Sequence, residues 1–288
     1  MRIATWNVNS AKQRAPRLLA WLAQRRPAVV CLQETKLTDE AFAELFTEPL
    51  AELGYEFAHA GQSAWNGVAL LSSVGLTDVR RSFPGAPGFP DLEARAISAV
   101  CDGVRVHSLY VPNGRVPDSD HYAYKLEWLA ALHAAVADDD LPMALCGDFN
   151  IAPTDADVFD PAAYVGHTHV TPPERAALAR FADLGLVDVV RRRWSEEIVY
   201  SYWDYRAGMF HKNLGMRIDL ILASASVADR VTAAWIDREA RKGKGPSDHA
   251  PVMVDLDVAP DGDIGPMVPP PSARPTKPGS TRLPQQST

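Results

Sequence analysis

The sequence predicts an α/β fold with mixed sheets. Apolar residues recur about every second position in some segments and about every 3.6 positions in others, and the two kinds of segment alternate along the chain. Strand-like segments are joined in places by tight turns and in places by helix-length crossovers, so both antiparallel and parallel pairs are expected. "RIATWNV" opens as a strand, "AKQRAPRLLAWLAQRR" carries Leu18, Leu19 and Leu22 at helical spacing, and "AVVCLQE" is a buried strand ending at Glu34. "DEAFAELFTEPLAEL" is an amphipathic helix closed by Gly54. "YEFAHA", "NGVALLSS" and "RAISAVCDGVRVHSLYVP" are strands, the last a hairpin turning on Asp102 and Gly103. "SDHYAYKLEWLAALHAAVA" is a long helix opened by Ser119, and "PMALCGDFN" is an apolar strand that stops abruptly in polar residues. "PPERAALARFADLG" is a helix with Pro at its start and Gly at its end, and "GMRIDLILAS" and "HAPVMVDLDV" supply the last two strands.

The chain has 288 residues, 47% of them hydrophobic, which is ample for a buried core. Its formal net charge of −7 argues against coating nucleic acid by bulk attraction. Net charge does not describe one face, however, and carboxylates that hold a metal ion present a positive centre to substrate. No apolar stretch suits a secretory signal or a membrane span, so a cytoplasmic protein is expected. Cys31, Cys101 and Cys146 each lie in an apolar run without CxxC spacing and read as buried free thiols. From about Pro260 the chain turns to Pro, Ser, Thr and Gly, so residues 259–288 read as a Pro-rich disordered tail behind a domain spanning 1–258.

Polar residues collect at strand ends: Asn7 in "TWNVNS", Glu34 in "CLQETK", Tyr110 and Asn113 in "SLYVPNGR", and Asp148 and Asn150 in "LCGDFNIAPTD". Loops at such ends lie along one edge of the sheets, where ligands gather. "RIDLIL" adds Asp219 inside an apolar strand, and "KGPSDHAPV" adds Asp248 and His249. A lone Asn at a strand end is usually a turn former, and His249 alone reads as well as a satisfied core histidine. A buried Asp219 demands a partner, because an unpaired buried carboxylate costs several kcal/mol, on the order of the penalty for any buried charge. The combination suits a hard divalent ion with positions open to phosphate and water. Glu34 and Asp248 would hold Mg²⁺ with help from the amide oxygen of Asn7. Asp148 would orient or deprotonate the attacking water with Asn150 fixing its geometry, and His249, steered by Asp219, would bond a phosphate oxygen. Tyr110 would contact phosphate or assist the leaving group. No Ser or Cys elbow, P-loop or zinc spacing is present, so direct attack by water is the simplest scheme.

The blocks "TWNVNS", "LQETK", "YVPNGR", "GDFNIAPTDADV", "YWDYRAG", "RIDLILAS" and "KGPSDHAPV" together resemble the exonuclease III family of apurinic/apyrimidinic endonucleases, within the endonuclease/exonuclease/phosphatase superfamily. The likeness runs from Met1 to about Val258. It implies a four-layered α/β sandwich, with two mixed sheets packed face to face and flanked by helices. It also implies Mg²⁺- or Mn²⁺-dependent cleavage of double-stranded DNA 5′ to an abasic site, leaving a 3′-hydroxyl, together with 3′→5′ exonuclease and 3′-phosphatase work on the same centre. Glu34 and Asp248 match the metal-site carboxylates, with Asn7 and Asn9 in the motif beside them, and Tyr110, Asp148, Asn150, Asp219 and His249 match the catalytic set. Asn113 and Arg115 are candidate DNA contacts, with Lys36, Lys125, Arg206, Lys212 and Arg217 as further cations. Tyr202, Trp203, Phe210 and Met216 either cap a flipped-out abasic sugar or form a core cluster. A superfamily phosphatase on inositol phosphates or sphingomyelin, and a non-catalytic damage-binding module, are the alternatives; the WDYR block and the intact polar set weigh against them. Nothing resembles an obligate interface, so a monomer is expected.

Overall fold

The computed structural model describes residues 1–259 and 265–267. In chain order the first half holds β1 (Arg2–Asn7), α1 (Ala11–Arg25), β2 (Val29–Gln33), α2 (Asp39–Glu52), β3 (Glu56–Ala60), β4 (Val68–Ser72), β5 (Thr77–Arg81), β6 (Ala96–Cys101), β7 (Val104–Tyr110) and α3 (Asp120–Ala137). The second half holds β8 (Met143–Asp148), α4 (Pro172–Ala179), β9 (Leu186–Asp188), α5 (Val189–Arg193), β10 (Asp219–Ser224), α6 (Ala225–Ala228), β11 (Val231–Ile236) and β12 (Val252–Leu256). These strands form two six-stranded sheets, ordered β11-β12-β1-β2-β4-β3 and β5-β6-β7-β8-β10-β9. Each sheet holds one parallel pair among antiparallel ones: β1 with β2 in the first, β7 with β8 in the second. The expected mixed sheets and four layers are therefore present.

Both faces of the central strands are buried, which is why they read as continuous apolar runs. Ile3, Val29 and Cys31 point between the sheets against Ile97, Val106 and Cys146, while Ala4, Trp6, Val30 and Leu32 point outward onto Leu18, Leu22, Phe42 and Phe46 of α1 and α2. On the far side Leu109, Leu145 and Leu220 meet Trp128, Leu129 and Leu132 of α3. The helices start where side chains accept from otherwise unpaired backbone N–H groups: Thr38 Oγ1 from Ala41 N (3.2 Å), and Ser119 Oγ from Tyr122 N (3.2 Å). Asp102 and Gly103 turn the β6–β7 hairpin with φ of 48° and 77°, as a two-residue turn requires. All three cysteines are buried and unpaired.

Several elements depart from the sequence reading. β5, β9, α5 and α6 are extra; β5 is exposed along its whole length and so carries no apolar alternation to detect. β11 lies between the two strands expected to be last and pairs with β12 as an edge strand, its Ala-rich sequence interrupted by a register shift between Val231 and Ala233. Asp219 is the first residue of β10 rather than an interior one. Within the stretch read as a tail, the Pro266 carbonyl accepts from Ile236 N (2.9 Å) and Met267 packs against the inter-sheet core; residues 260–264 and 268–288 lie outside the described residues. Among the described residues no helix is long and apolar enough to cross a membrane.

Candidate active site

The ends of β1, β2, β7, β8 and β10 bring the polar residues to one edge of both sheets. Register does much of this work: Asp148 is paired with Tyr110 on one side and Asp219 on the other. β7 and β8 approach so closely beside Asp148 that a Cβ on Gly147 would lie 1.9 Å from the Leu109 carbonyl oxygen, so only glycine fits. The loops that leave the strands are locally strained. Asn9, Glu34, Lys36, Arg115 and Asn150 all have positive φ, between 44° and 55°, a conformation that costs an L-residue about 1–2 kcal/mol unless its surroundings hold it. The hold is visible: Glu34 O accepts from Ser10 N (2.8 Å), and Lys36 N donates to Asn66 O (3.0 Å).

Asn7 joins the two sheets. Its Nδ2 donates to Glu34 Oε1 (2.8 Å) from the first sheet and to Asp148 Oδ2 (3.0 Å) from the second. Its amide oxygen accepts from Asn9 N (3.0 Å). Two carboxylates thus face the NH₂ end of the Asn7 side chain, and its oxygen, expected beside a metal ion, keeps a second lone pair. Asn9 in turn donates to Asp248 Oδ1 (3.0 Å) and accepts from Lys36 Nζ (2.6 Å), which also pairs with Glu34 Oε2 (2.8 Å). Asp148 Oδ1 accepts from Asn150 N (2.9 Å), and the Asn150 side chain is fixed by Val111 O (3.0 Å) and by Asn113 Nδ2 (3.1 Å). His249 Nδ1 donates to Asp219 Oδ2 (2.8 Å), while Nε2 faces Asp148 Oδ2 at 3.8 Å, too far for a hydrogen bond.

Burial sets the electrostatics. Taking the His249 ring out of water works against its charge, but Asp219, Asp148 and Asp248 overcome this and push its pKa up to about 10. Asp148 moves the other way: burial, with Asp219 and Glu34 nearby, raises it to about 7 despite His249 and the Asn7 hydrogen bond. Burial pulls Glu34 upward, but Lys36 and Asn7 hold it below the ordinary glutamate value. Burial and the charges of Glu34 and Asp148 raise Tyr110 well above an ordinary phenol, so it is protonated at neutral pH. Asp148, Asp219 and His249 have ligand atoms within 4.8 Å of one another and could hold a metal ion. A protonated imidazole already satisfies that trio. Glu34 and Asp248 supply hard carboxylate oxygens of the kind a divalent ion takes, joined through Asn9 and Lys36, whose ammonium now neutralises Glu34.

The other expected contacts divide. Asn113 and Arg115 are exposed on the rim, and Tyr202 is partly exposed with its ring 4.9 Å from that of His249. Trp203, Phe210 and Met216 are buried, so the structure gives them to the core that supports the loop rather than to substrate contact. Arg217 and Lys125 are also no DNA contacts: both are fully buried, Arg217 between Asp157 and Asp188 and Lys125 against Glu174. Arg206 and Lys212 remain exposed. The sequence reading missed Ser201, whose Oγ donates to Asp219 Oδ2 (2.6 Å), Ser247, whose Oγ donates to Asn7 O (2.7 Å), and Trp6, whose indole donates to His249 O (3.1 Å). It also missed His169, which donates from Nδ1 to Asn150 O (2.6 Å) and is held neutral, at about 4, by burial and Lys125. Ser247 stands inside a quoted block and Ser201 just before another, but nothing local marks them as partners of a carboxylate or a catalytic loop.

A two-sheet sandwich carrying this carboxylate, amide and imidazole set on one edge defines a phosphoester hydrolase, and the chain belongs to the Endonuclease/Exonuclease/phosphatase family, whose sequence pattern matches residues 4–249. It is similar to exodeoxyribonuclease III of Haemophilus influenzae, with 33% identity covering 89% of this chain and 100% of that one. It is also similar to an exodeoxyribonuclease of Bacillus subtilis, at 30% identity over 90% of this chain and 100% of the relative. Among solved structures it resembles a 3′ phosphatase from Neisseria bound to a product DNA hairpin (39% identity, TM-score 0.86, 90% of this chain and 100% of that one). An AP endonuclease from Archaeoglobus fulgidus is similar at 35% identity and TM-score 0.84, with the same coverage.

Proposed function

We propose that the protein is a metal-dependent DNA-repair phosphodiesterase that hydrolyses the backbone 5′ to abasic sites, leaving a 3′-hydroxyl, and that also works at 3′ ends as a 3′→5′ exonuclease and 3′-phosphatase. The observation that carries this reading is the row of polar groups spanning both sheets, in which Asn7 bonds Glu34 and Asp148, and the His249–Asp219 pair faces Asp148 across 3.8 Å. At 3.8 Å His249 Nε2 and Asp148 Oδ2 face each other without bonding, which leaves the Nε2–H free to donate to a phosphoryl oxygen and the Oδ2 free to accept from a water. His249, charged, donates to the phosphoryl oxygen as negative charge builds there. Asp148, poised at about 7, takes the proton from the water that attacks phosphorus. The P–O bond opposite breaks, and its oxygen leaves with a proton from solvent or from Tyr110. Glu34 and Asp248 would hold Mg²⁺ or Mn²⁺, which supplies neutralising charge at the phosphate.

The likeness to the Neisseria 3′ phosphatase at 39% identity, against 35% for the AP endonuclease, favours a second reading in which 3′-end processing outweighs incision. An end-labelled duplex with one central abasic analogue, beside a duplex ending in a 3′-phosphate, decides between them. Both are treated with Mg²⁺ and with EDTA. Metal-dependent incision 5′ to the lesion supports the first reading, phosphate release without incision supports the second, and inertness on both sinks the repair assignment. A cytoplasmic monomer acting on double-stranded DNA completes the proposal, with sedimentation as the test of oligomeric state.

A further inference from the structure

We infer that the buried pair Lys125–Glu174 is a positioning device that sets Asn150, and through it Asp148, as well as Asn113. The inference rests on the catalytic reading of those residues given above. Lys125 lies on α3 and Glu174 in the first turn of α4, and both side chains are fully buried. The three N–H groups of Lys125 Nζ donate to Glu174 Oε1 (2.5 Å) and to the carbonyls of Asn150 (2.7 Å) and Asn113 (3.1 Å). Glu174 collects the third loop: Oε1 accepts from Thr168 Oγ1 (2.7 Å) and His169 N (3.0 Å), and Oε2 from Thr171 N (3.0 Å) and Oγ1 (2.6 Å). One ammonium and one carboxylate therefore tie together the segments that follow β7, follow β8 and precede α4.

The peptide of Asn150 is clamped from both ends. Its carbonyl accepts from Lys125, and its N–H donates to Asp148 Oδ1 at 2.9 Å. Asn150 sits at φ 51°, a conformation that needs such a hold. A buried ion pair is seldom the cheapest way to fill a core, since apolar groups of the same shape are often as stabilising. What apolar groups cannot do is donate to two carbonyls on two catalytic loops at once. A shift of about 1 Å in such a group suffices to slow an enzyme about 100-fold.

The test removes the charges together, as Lys125→Met/Glu174→Gln, so that neither is left buried alone. In steady-state cleavage, kcat is expected to fall about 10- to 100-fold while KM changes less than about threefold, because orientation rather than binding is lost. In an Asp148→Ala background the same change is expected to cost less than about a further threefold, because the main-chain path from Lys125 through Asn150 ends on the Asp148 carboxylate. Hydrogen exchange of residues 111–118, 148–152 and 166–171 is expected to rise in all three together in the charge-free protein. An equal loss of kcat in both backgrounds, or unchanged exchange in the three loops, overturns the inference. If the unaltered protein cleaves none of the duplexes, the catalytic reading falls while the exchange measurement still decides whether the pair holds the loops. Should the charge-free protein not fold cooperatively, Lys125→Arg carries the same cycle and exchange comparison.

Discussion

Replacing Arg217 with Met separates a structural charge from a DNA contact. Arg217 is wholly buried; Nε donates to Asp157 Oδ1 at 2.7 Å and Nη1 to Asp188 Oδ2 at 2.6 Å. Removing one partner of a buried pair costs about 3–5 kcal/mol, chiefly because the other charge stays buried and uncompensated. Two features place this case near the lower figure. Asp157 Oδ1 keeps Arg191 Nη2 at 2.6 Å, and the substitution removes Nη2 of Arg217, a buried donor with no partner. A loss of about 3 kcal/mol corresponds to a fall in Tm of about 6–12 °C for a domain of this size. Burial works to raise the Asp157 pKa, but Arg217 and Arg191 hold it below the ordinary value. Its stabilising contribution is therefore present above about pH 4, the unfolded value, and is lost as pH falls through the lower folded value. The gap between wild type and variant should accordingly narrow in acid. Thermal unfolding followed by circular dichroism measures both effects. Salt titration of duplex binding supplies the control: a phosphate contact contributes about 0.9 to the slope of log K against log salt. An unshifted Tm together with a slope reduced by that amount would refute the structural assignment and return Arg217 to the DNA.

Three further outcomes are expected. Asp148→Asn should slow cleavage about 10²- to 10⁴-fold with binding of an abasic duplex in EDTA intact, and full activity would remove Asp148 as the base. In metal-free protein the His249 ring should titrate near 10 by ¹⁵N NMR and lower in Asp219→Asn. Its contribution to stability is complete below about pH 6.5 and is lost as pH rises toward 10, and a ring titrating near 6.5 in wild type would contradict the charged imidazole. Glu34→Gln should raise the Mg²⁺ concentration for half-maximal activity at least about tenfold, since it loses a hard anionic ligand; an unchanged titration curve takes Glu34 out of the metal site.

The site was legible where polarity interrupts an apolar pattern. Asn7, Glu34, Asp148 and Asn150 each end or follow a strand, and Asp219 begins one, so the break in alternation marks them and the sheet gathers them. The Asp219–His249 bond followed from the cost of burying a carboxylate. Lys125 and Arg217 misled for the same reason in reverse: a cation looks exposed in a sequence unless its partner is known, and Glu174 and Asp157 lie 49 and 60 residues away. Trp203, Phe210 and Met216 follow Tyr202 in a loop without periodicity, which leaves core and surface indistinguishable until the loop folds. β5, fully exposed, and β11, Ala-rich, lack the contrast that reveals a strand.

The pairing of β1 with β12 joins the two ends of the catalytic region: Met1 N donates to Leu256 O, and Arg2 meets Asp255 in register. β1 is thus paired on both sides only once β12, whose Asp255 lies 253 residues after Arg2, has been made. Until synthesis reaches Leu256, β1 is paired on its β2 side alone, and until it passes His249 the site lacks the group that would polarise phosphate. A nascent or prematurely terminated copy therefore carries most of the sequence of a nuclease without its chemistry. Synthesis through β12 is thus the step that completes the site.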